Sequence, residues 1–425
     1  MKLRIEKAIY GGDGLTHSPD GKAVFVPGTL PGELVEASIA QQSRGFSTAA
    51  LQTVLEPSAD RVIPGCEYFP ICGGCQYQHA APALQLQMKL AILQETMARA
   101  HLSVPEEIGS VAGPEWGYRN RVRLHVMKVP SGIALGYRQR GSHDLLPVGH
   151  CPIAAPLLQQ AIAAVTRIGA ETGLVSLCDE VEFFTNGEQD QLLLSLWPGP
   201  HSHGRKPEDK LEKFAEGLHT EMPLLTGVGL ISSGQVAYWG QRFLTYRVAG
   251  FTYRVSMGGF FQVNRFLLPQ LLELVLQGSH SGGTAWDLYA GAGLFAKALP
   301  YEHVTAVESA GFSADDLQHN LADKAAGKKQ RTVRSSTLDF LRKPYKVKPD
   351  LILVDPPRAG LGKETCNLLG VIGASRIVSI SCDPATLARD LQLLLPFGYT
   401  IESIHLVDLF PQTFHMETVT FLKRT

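Results

Sequence analysis

Four short apolar runs in the C-terminal part of the chain each stop at a polar side chain. That repeated ending constrains the fold more than any other feature. Thr284-Ala285-Trp286 stops at Asp287, Val304-Thr305-Ala306-Val307 at Glu308, Leu351-Ile352-Leu353-Val354 at Asp355, and Ile377-Val378-Ser379-Ile380-Ser381 at Cys382. Short apolar runs of this kind read as buried strands, and strands buried on both faces belong to parallel sheets. The four are expected to form one parallel sheet of an α/β domain. A residue just past the C-terminal end of such a strand faces the ligand crevice of an open sheet. Glu417 begins a last run, Thr418-Val419-Thr420-Phe421-Leu422. If that strand runs antiparallel to the others, its start joins the same edge.

The residues at this edge carry chemistry. Asp287-Leu288-Tyr289-Ala290-Gly291-Ala292-Gly293 reads as a strand end and a glycine-rich turn, with a helix starting at Leu294. Gly291 and Gly293 let backbone approach a ligand closely. Glu308, at the end of the next strand, suits a pair of ribose hydroxyls. The turn is shorter than the dinucleotide G-x-G-x-x-G and has no P-loop lysine, which favours S-adenosylmethionine over NAD. Asp355 is held by Pro356 and Pro357, whose rings fix the backbone. Cys382 is a candidate nucleophile, its plain alternative being a small buried hydrophobe.

At 425 residues the chain is expected to form two or three domains. Apolar content of 44% and charged content of 19% indicate a globular protein. Formal net charge is −1, so any RNA contact must rest on local basic patches. Met1 to Gly14 lacks an apolar signal core, and no apolar stretch is long enough to cross a bilayer. A cytoplasmic, reducing location is expected, where cysteines serve as metal ligands, catalysts or packing residues.

Residues 1–57 read as short strands broken by turns at Gly11-Gly12-Asp13-Gly14, Pro19-Asp20-Gly21 and Pro31-Gly32, the pattern of a small OB-like barrel. Its charges give no support for RNA binding: Lys2, Arg4, Lys7, Lys22 and Arg44 stand against Glu6, Asp13, Asp20, Glu33, Glu36 and Glu56. In residues 58–84, Cys66, Cys72 and Cys75 form C-x5-C-x2-C, with Cys151 the best fourth ligand. Four thiolates suit structural zinc or a [4Fe–4S] cluster, and the spacing favours iron–sulfur. Residues 85–115 form a helical segment expected to lie on the catalytic domain. Residues 116–250 read as a central, β-rich α+β domain for RNA. There Arg119, Arg121, Arg123 and His125 alternate with Val122, Leu124 and Val126, and Tyr137, Arg138 and Arg140 follow. One strand face of cations suggests phosphate contact and stacking, or simply a solvated surface. Residues 198–214 are expected to form a loop. Residues 251–425 complete the chain as the catalytic domain.

With these motifs in place, the sequence resembles the family of RNA 5-methyluridine (uracil-C5) methyltransferases over nearly its whole length. It looks most like the iron–sulfur branch that modifies bacterial 23S ribosomal RNA. The likeness lies in the barrel, the cysteine pattern, Phe260-Phe261-Gln262-Val263-Asn264, Asp287 to Gly293, Asp355-Pro356-Pro357-Arg358-Ala359-Gly360, Ser381 to Thr386, and Thr413-Phe414-His415-Met416-Glu417. The resemblance implies a TRAM-type barrel and a Rossmann-like S-adenosylmethionine-dependent domain. It implies cofactor contacts by Gln262, Tyr289, Gly291, Gly293, Glu308 and Asp355, Cys382 as nucleophile and Glu417 as base. It also implies Cys66, Cys72, Cys75 and Cys151 around [4Fe–4S], while the basic strand face read above makes Arg119, Arg121, Arg123, Tyr137 and Arg138 the candidate RNA contacts. A monomer with RNA as its only partner is expected. Two departures stand out: Asp383 follows the nucleophile where Asn is usual, and Leu294 follows Gly293 where a polar residue is common.

The chemistry implied is covalent. A thiolate added at uracil C6 makes C5 nucleophilic, and after methyl transfer a carboxylate removes the C5 proton. That scheme calls for a depressed Cys382 pKa and a flipped base. Transfer RNA as substrate, an amino-group methyltransferase and a non-catalytic RNA-binding factor are the rival readings.

Overall fold

The structure is a computed structural model that describes all residues except 201–206, 233–234 and 323–328. The chain divides into two compact units. The first comprises Met1–His101, Arg138–Leu146 and Phe410–Met416, and the second Leu102–Tyr137, Pro147–Leu409 and Glu417–Thr425.

In the first unit six strands form one sheet, in the order Lys2–Arg4, Leu34–Gln42, Phe46–Glu56, Ala23–Pro27, Asp13–His17, Lys7–Ala8. Alternation puts Leu3, Val24, Val26, Val35, Ala37 and Ala49 on one face, where they pack with Ile5 as the core. Glu6 N donates to Leu15 O at 2.9 Å and Thr16 Oγ1 to Arg4 O at 2.7 Å. The end of the first strand and Glu6 just beyond it are therefore bonded to the fifth strand in that order, Asp13–His17. The helix Pro82–Arg99 starts on a proline and buries Met88, Ile92, Leu93 and Met97 at helical spacing. Its Gln85 and Lys89 bond to Gln412 and to Phe410 O, at 2.8–3.0 Å, and so anchor the segment Phe410–Met416.

The second unit holds two larger sheets. One contains, side by side, Gly132–Arg138, Arg121–Val129, Glu180–Thr185, Leu192–Trp197, Leu225–Ser232 and Gln235–Gly240. Part of the expected loop 198–214 is helical: Pro207–Glu221 forms a helix that buries Leu211, Phe214 and Leu218. The apolar positions at 211, 214 and 218 follow a helical period that the polar composition obscures. Residues 201–206 of that stretch lie outside the described residues.

The other sheet runs Lys329–Arg334, Tyr301–Glu308, Gly282–Leu288, Leu351–Val354, Arg376–Ser381, Glu417–Arg424, Tyr399–Val407, Gly109–Val111. The first five are mutually parallel. Leu351, Ile352, Leu353 and Val354 are fully buried, as a strand covered on both faces requires. Gly282–Leu288 has its chain successor on one side and Leu351–Val354 on the other. The connections leave in opposite directions there, which opens a crevice at the strand ends. Glu417–Arg424 inserts antiparallel between Arg376–Ser381 and Tyr399–Val407, so its first residue lies at the C-terminal edge of the parallel strands.

Candidate active site

The turn after Gly282–Leu288 is held in left-handed backbone at Tyr289 (φ 66°), Gly291 (φ 55°) and Gly293 (φ 88°). A tyrosine in that region is strained, and such strain persists only where the surroundings impose it. Ala290 N donates to Val307 O at 3.0 Å, and Asn320 Nδ2 to Ala292 O at 2.8 Å. A Cβ added at Gly291 meets nothing within 4 Å, so the turn is open on that side. Glu308 stands at the end of the neighbouring strand. Its Oε2 accepts from Gly291 N at 2.9 Å, and its Oε1 from Ser309 N and Ala310 N at 2.7 and 2.6 Å. The carboxylate is thereby fixed in orientation beside the turn.

Asp355 accepts one bond from Gln262 Nε2 at 3.3 Å, and burial pushes its pKa up to about 7. Gln262 is itself held. Asn120 Nδ2 donates to its carbonyl at 3.0 Å and to the Tyr246 hydroxyl at 2.8 Å. Asn264 accepts from Phe266 N and Leu267 N and donates to Leu409 O at 3.0 Å. Beneath the edge, Asp287 is completely buried, and burial, then the charges of Asp355 and Glu308, hold its pKa well above the usual range.

Cys382 and Glu417 come together across the antiparallel ladder. Ser381 pairs with Thr418, so Cys382 and Glu417 occupy the next opposed positions. Thr418 Oγ1 closes the last rung on Ser381 O at 3.0 Å. Asp383 caps the following helix, Pro384–Leu394, by accepting from Ala385 N and Thr386 N at 3.0 and 2.9 Å. Asparagine offers the same acceptor, so the aspartate here keeps the cap. Burial raises the Glu417 pKa well above the ordinary value, Asp355 adds to the rise, and Arg358 opposes it.

The thiol runs against expectation. Burial first, with Glu417 and Asp355 adding to it and Arg358 alone among these charges opposing, pushes the Cys382 pKa up to about 11. The chemistry calls for a depressed value; burial of the sulfur, and then two carboxyls beside it, produce the opposite. Sequence reasoning named Arg358 only as part of a motif and gave it no role, yet its charge acts on both Cys382 and Glu417. Its position directly after Asp355-Pro356-Pro357 was the available signal.

The basic strand face is less open than its alternation suggests. Arg121 lies with its guanidinium 3.9 Å from the Phe184 ring centre, donates to Gly259 O at 2.5 Å and approaches Glu182 at 3.7 Å. At 12% side-chain exposure it is a packing residue, which removes it from an RNA-facing surface. Arg123 sits over Trp197 and pairs with Glu180, yet keeps 42% of its side chain exposed. His125 also approaches Glu180, at 3.3 Å. Tyr137 hydrogen-bonds the Cys151 thiol, and the Arg119 charge lowers that thiol's pKa against a larger rise from burial. Arg138 Nη1 lies 2.7 Å from His143 Nδ1 at an exposed site.

None of the seven cysteines forms a disulfide. Among the described residues, no group of three or more His, Cys, Asp or Glu side chains is arranged to hold a metal ion. Gly74 N donates to Cys72 Sγ at 3.4 Å, a bond that suits a thiolate ligand. Cysteine thiolates are the donor type that a [4Fe–4S] cluster or a structural zinc takes.

A parallel sheet with a glycine-rich turn, and an acid at the end of the next strand, defines a nucleoside-binding α/β domain. The sequence matches the model of the tRNA (uracil-5-)-methyltransferase family over residues 83–425. It is 30% identical to the Yersinia enterocolitica 23S rRNA (uracil(1939)-C(5))-methyltransferase RlmD, over 96% of this chain and 91% of that one. It is 33% identical to a Streptomyces avermitilis protein called an uncharacterized RNA methyltransferase, over 99% and 98% of the two chains. Its fold matches that of the Pyrococcus abyssi tRNA (uracil-54, C5)-methyltransferase, solved in complex with S-adenosyl-L-homocysteine, with a TM-score of 0.77 at 22% identity and coverage of 99% and 100%. The chain belongs to the tRNA (uracil-5-)-methyltransferase family, and it is an RNA (uracil-5-)-methyltransferase. The resemblance read from its motifs holds at the level of that family. Among the described residues no helix is long and apolar enough to cross a membrane.

Proposed function

We propose that the protein methylates C5 of a uridine in 23S ribosomal RNA, with S-adenosylmethionine as methyl donor. The observation that carries the chemistry is the opposition of Cys382 and Glu417 just beyond the Ser381–Thr418 rung, beside Asp355 and Arg358. The ribosomal substrate is supported by the Yersinia relative; the tRNA named for the Pyrococcus neighbour is the alternative.

The donor supplies an activated methyl group on a sulfonium. Glu308, Tyr289, Gly291 and Gly293 hold the nucleoside, with Glu308 accepting from ribose hydroxyls. Gln262 and Asp355, bonded to each other, would also face the donor, and an ionised Asp355 would favour its cationic form. Cys382 adds to C6, which places electron density at C5. After methyl transfer Glu417 removes the C5 proton, and the Cys382–C6 bond breaks. The high pKa of the Glu417 carboxyl makes it a strong base once ionised. Arg358 stabilises the sulfur anion against its acidic neighbours. Arg119, Arg123, Tyr137 and Arg138 are offered as RNA contacts, and residues 1–57 as a TRAM-type barrel that holds the remodelled strand. The protein acts as a monomer in the cytoplasm.

The iron–sulfur cluster on Cys66, Cys72, Cys75 and Cys151 rests on the donor set and on the resemblance. Methyl transfer moves no net electron, so no step is assigned to it. The deciding experiment for the reaction is Cys382→Ala with radiolabelled donor and total RNA. Loss of transfer with donor binding retained is expected; transfer at the normal rate overturns the covalent scheme.

A further inference from the structure

The helix Pro384–Leu394 carries the Cys382 loop at its N-terminal end. Two turns further on it does something unrelated to capping. Asp390, 5% exposed, accepts from Leu361 N at 2.7 Å through Oδ2 and from Gly362 N at 3.3 Å through Oδ1. Arg389 donates from Nε and Nη2 to Asp390 Oδ1 at 3.0 and 2.8 Å, and from Nη2 to Ala359 O at 2.7 Å. The three bonded backbone groups lie in the segment that follows Asp355-Pro356-Pro357-Arg358, up to the first residue of the helix Gly362–Ile372. Gly360 sits in the middle of the clasp with φ 72°, and a Cβ there would come within 2.4 Å of Asp390 Oδ2 and 2.5 Å of Arg389 Nη2. Gly360 N also closes a turn on Pro357 O at 2.7 Å.

We propose that Arg389 and Asp390 are positioning residues: they tie the segment just after Arg358 to the helix that follows Cys382, so that one rigid element sets where that guanidinium and that thiol stand at two neighbouring strand ends. The inference rests on Cys382 as nucleophile. A loop tied only by its own ends would let Arg358 drift from the thiol without penalty. Three charge-assisted bonds to a buried carboxylate and a guanidinium do not. The groups facing the thiol are Glu417 on the antiparallel strand, and Asp355 and Arg358 on this loop. The two carboxyls disfavour the thiolate, so displacement of Arg358 leaves them unopposed.

The test is the pH dependence of Cys382 alkylation by iodoacetamide, read by mass spectrometry on the Cys382 peptide of the full chain. It needs no turnover and no RNA. In Asp390→Ala the midpoint is expected to move alkaline by about one pH unit, a tenfold loss of thiolate at a given pH below it. Asp390→Asn keeps one acceptor and is expected to recover part of the change. Gly360→Ala, which disturbs the clasp without removing a charge, is expected to move the midpoint in the same direction. In parallel, kcat falls with the KM for donor little changed. If thermal melting shows Gly360→Ala and Asp390→Asn folded and the alkylation midpoint stays at the wild-type value in both, the proposal is overturned. Transfer by Cys382→Ala would sink the reaction scheme instead, while leaving the alkylation result standing.

Discussion

Gln262 and Asp355 are joined by a single hydrogen bond, Nε2 to Oδ2 at 3.3 Å, between the segment Phe260–Asn264 and the end of the strand Leu351–Val354. That bond is the only favourable contact among the causes that set the Asp355 pKa, and burial outweighs it.

Asp355→Asn is therefore expected to separate stability from function. A carboxyl whose pKa rises from 3.8 to about 7 on folding takes up a proton between those values. The folded state then binds more protons than the unfolded one, and stability falls as pH climbs through that window. Asn has no such dependence. Thermal melts should show the gain of Asp355→Asn over wild type growing between about pH 4 and about pH 7, by up to ~1.4 kcal/mol for each pH unit. In calorimetry the same variant should lose about tenfold in affinity for cationic S-adenosylmethionine relative to neutral S-adenosylhomocysteine. Equal losses for both ligands would remove Asp355 from the sulfonium.

Glu417→Gln leaves the base without a proton acceptor and takes one negative charge from beside Cys382. A covalent protein–RNA adduct should accumulate as a slow band on a denaturing gel. In the free protein the alkylation midpoint of Cys382 should move to lower pH, since Glu417 is a cause of its elevation. Sustained turnover without adduct would assign proton removal elsewhere.

Arg121 and Arg123 stand one side-chain alternation apart and should respond oppositely. Arg121→Ala opens a buried site against Phe184 and Gly259, and is expected to cost roughly 3 kcal/mol in denaturant unfolding. The salt dependence of RNA affinity should hardly change. Arg123→Ala should leave stability nearly intact and lower the slope of log affinity against log salt by about one, as for one lost phosphate contact. An unchanged slope in Arg123→Ala would take that side chain off the RNA.

Anaerobically purified protein should contain about four iron and four sulfide per chain if the four thiols hold a [4Fe–4S] cluster. Cys75→Ser should reduce both. One zinc and no sulfide would assign the same ligands to a structural metal.

The centre of the catalytic sheet was legible because strands such as Leu351–Val354 and Arg376–Ser381 are buried on both faces, which leaves uninterrupted apolar runs with polar ends. The antiparallel insertion of Glu417–Arg424 was readable only as a condition, since strand direction leaves no mark in composition. The helix Pro207–Glu221 escaped because its apolar positions are few and widely spaced among charges. Alternation correctly separated Val122 and Leu124 from the arginines, but it says nothing about what covers a polar face. Phe184 and Gly259, distant in sequence, bury Arg121. The elevated Cys382 pKa was hidden for the same reason: the packing that buries the thiol, and the carboxyls that add to the rise, come from elsewhere in the sequence.

The reversed direction of Glu417–Arg424 has a mechanical corollary. Its side chains alternate between the two faces with a period of two, so a slip of one residue against Arg376–Ser381 would swing the carboxylate to the far side of the sheet. Lengthening the segment that precedes the strand leaves that phase untouched, whereas a single-residue insertion inside it inverts the phase. Tolerance to insertion should thus change abruptly at Glu417.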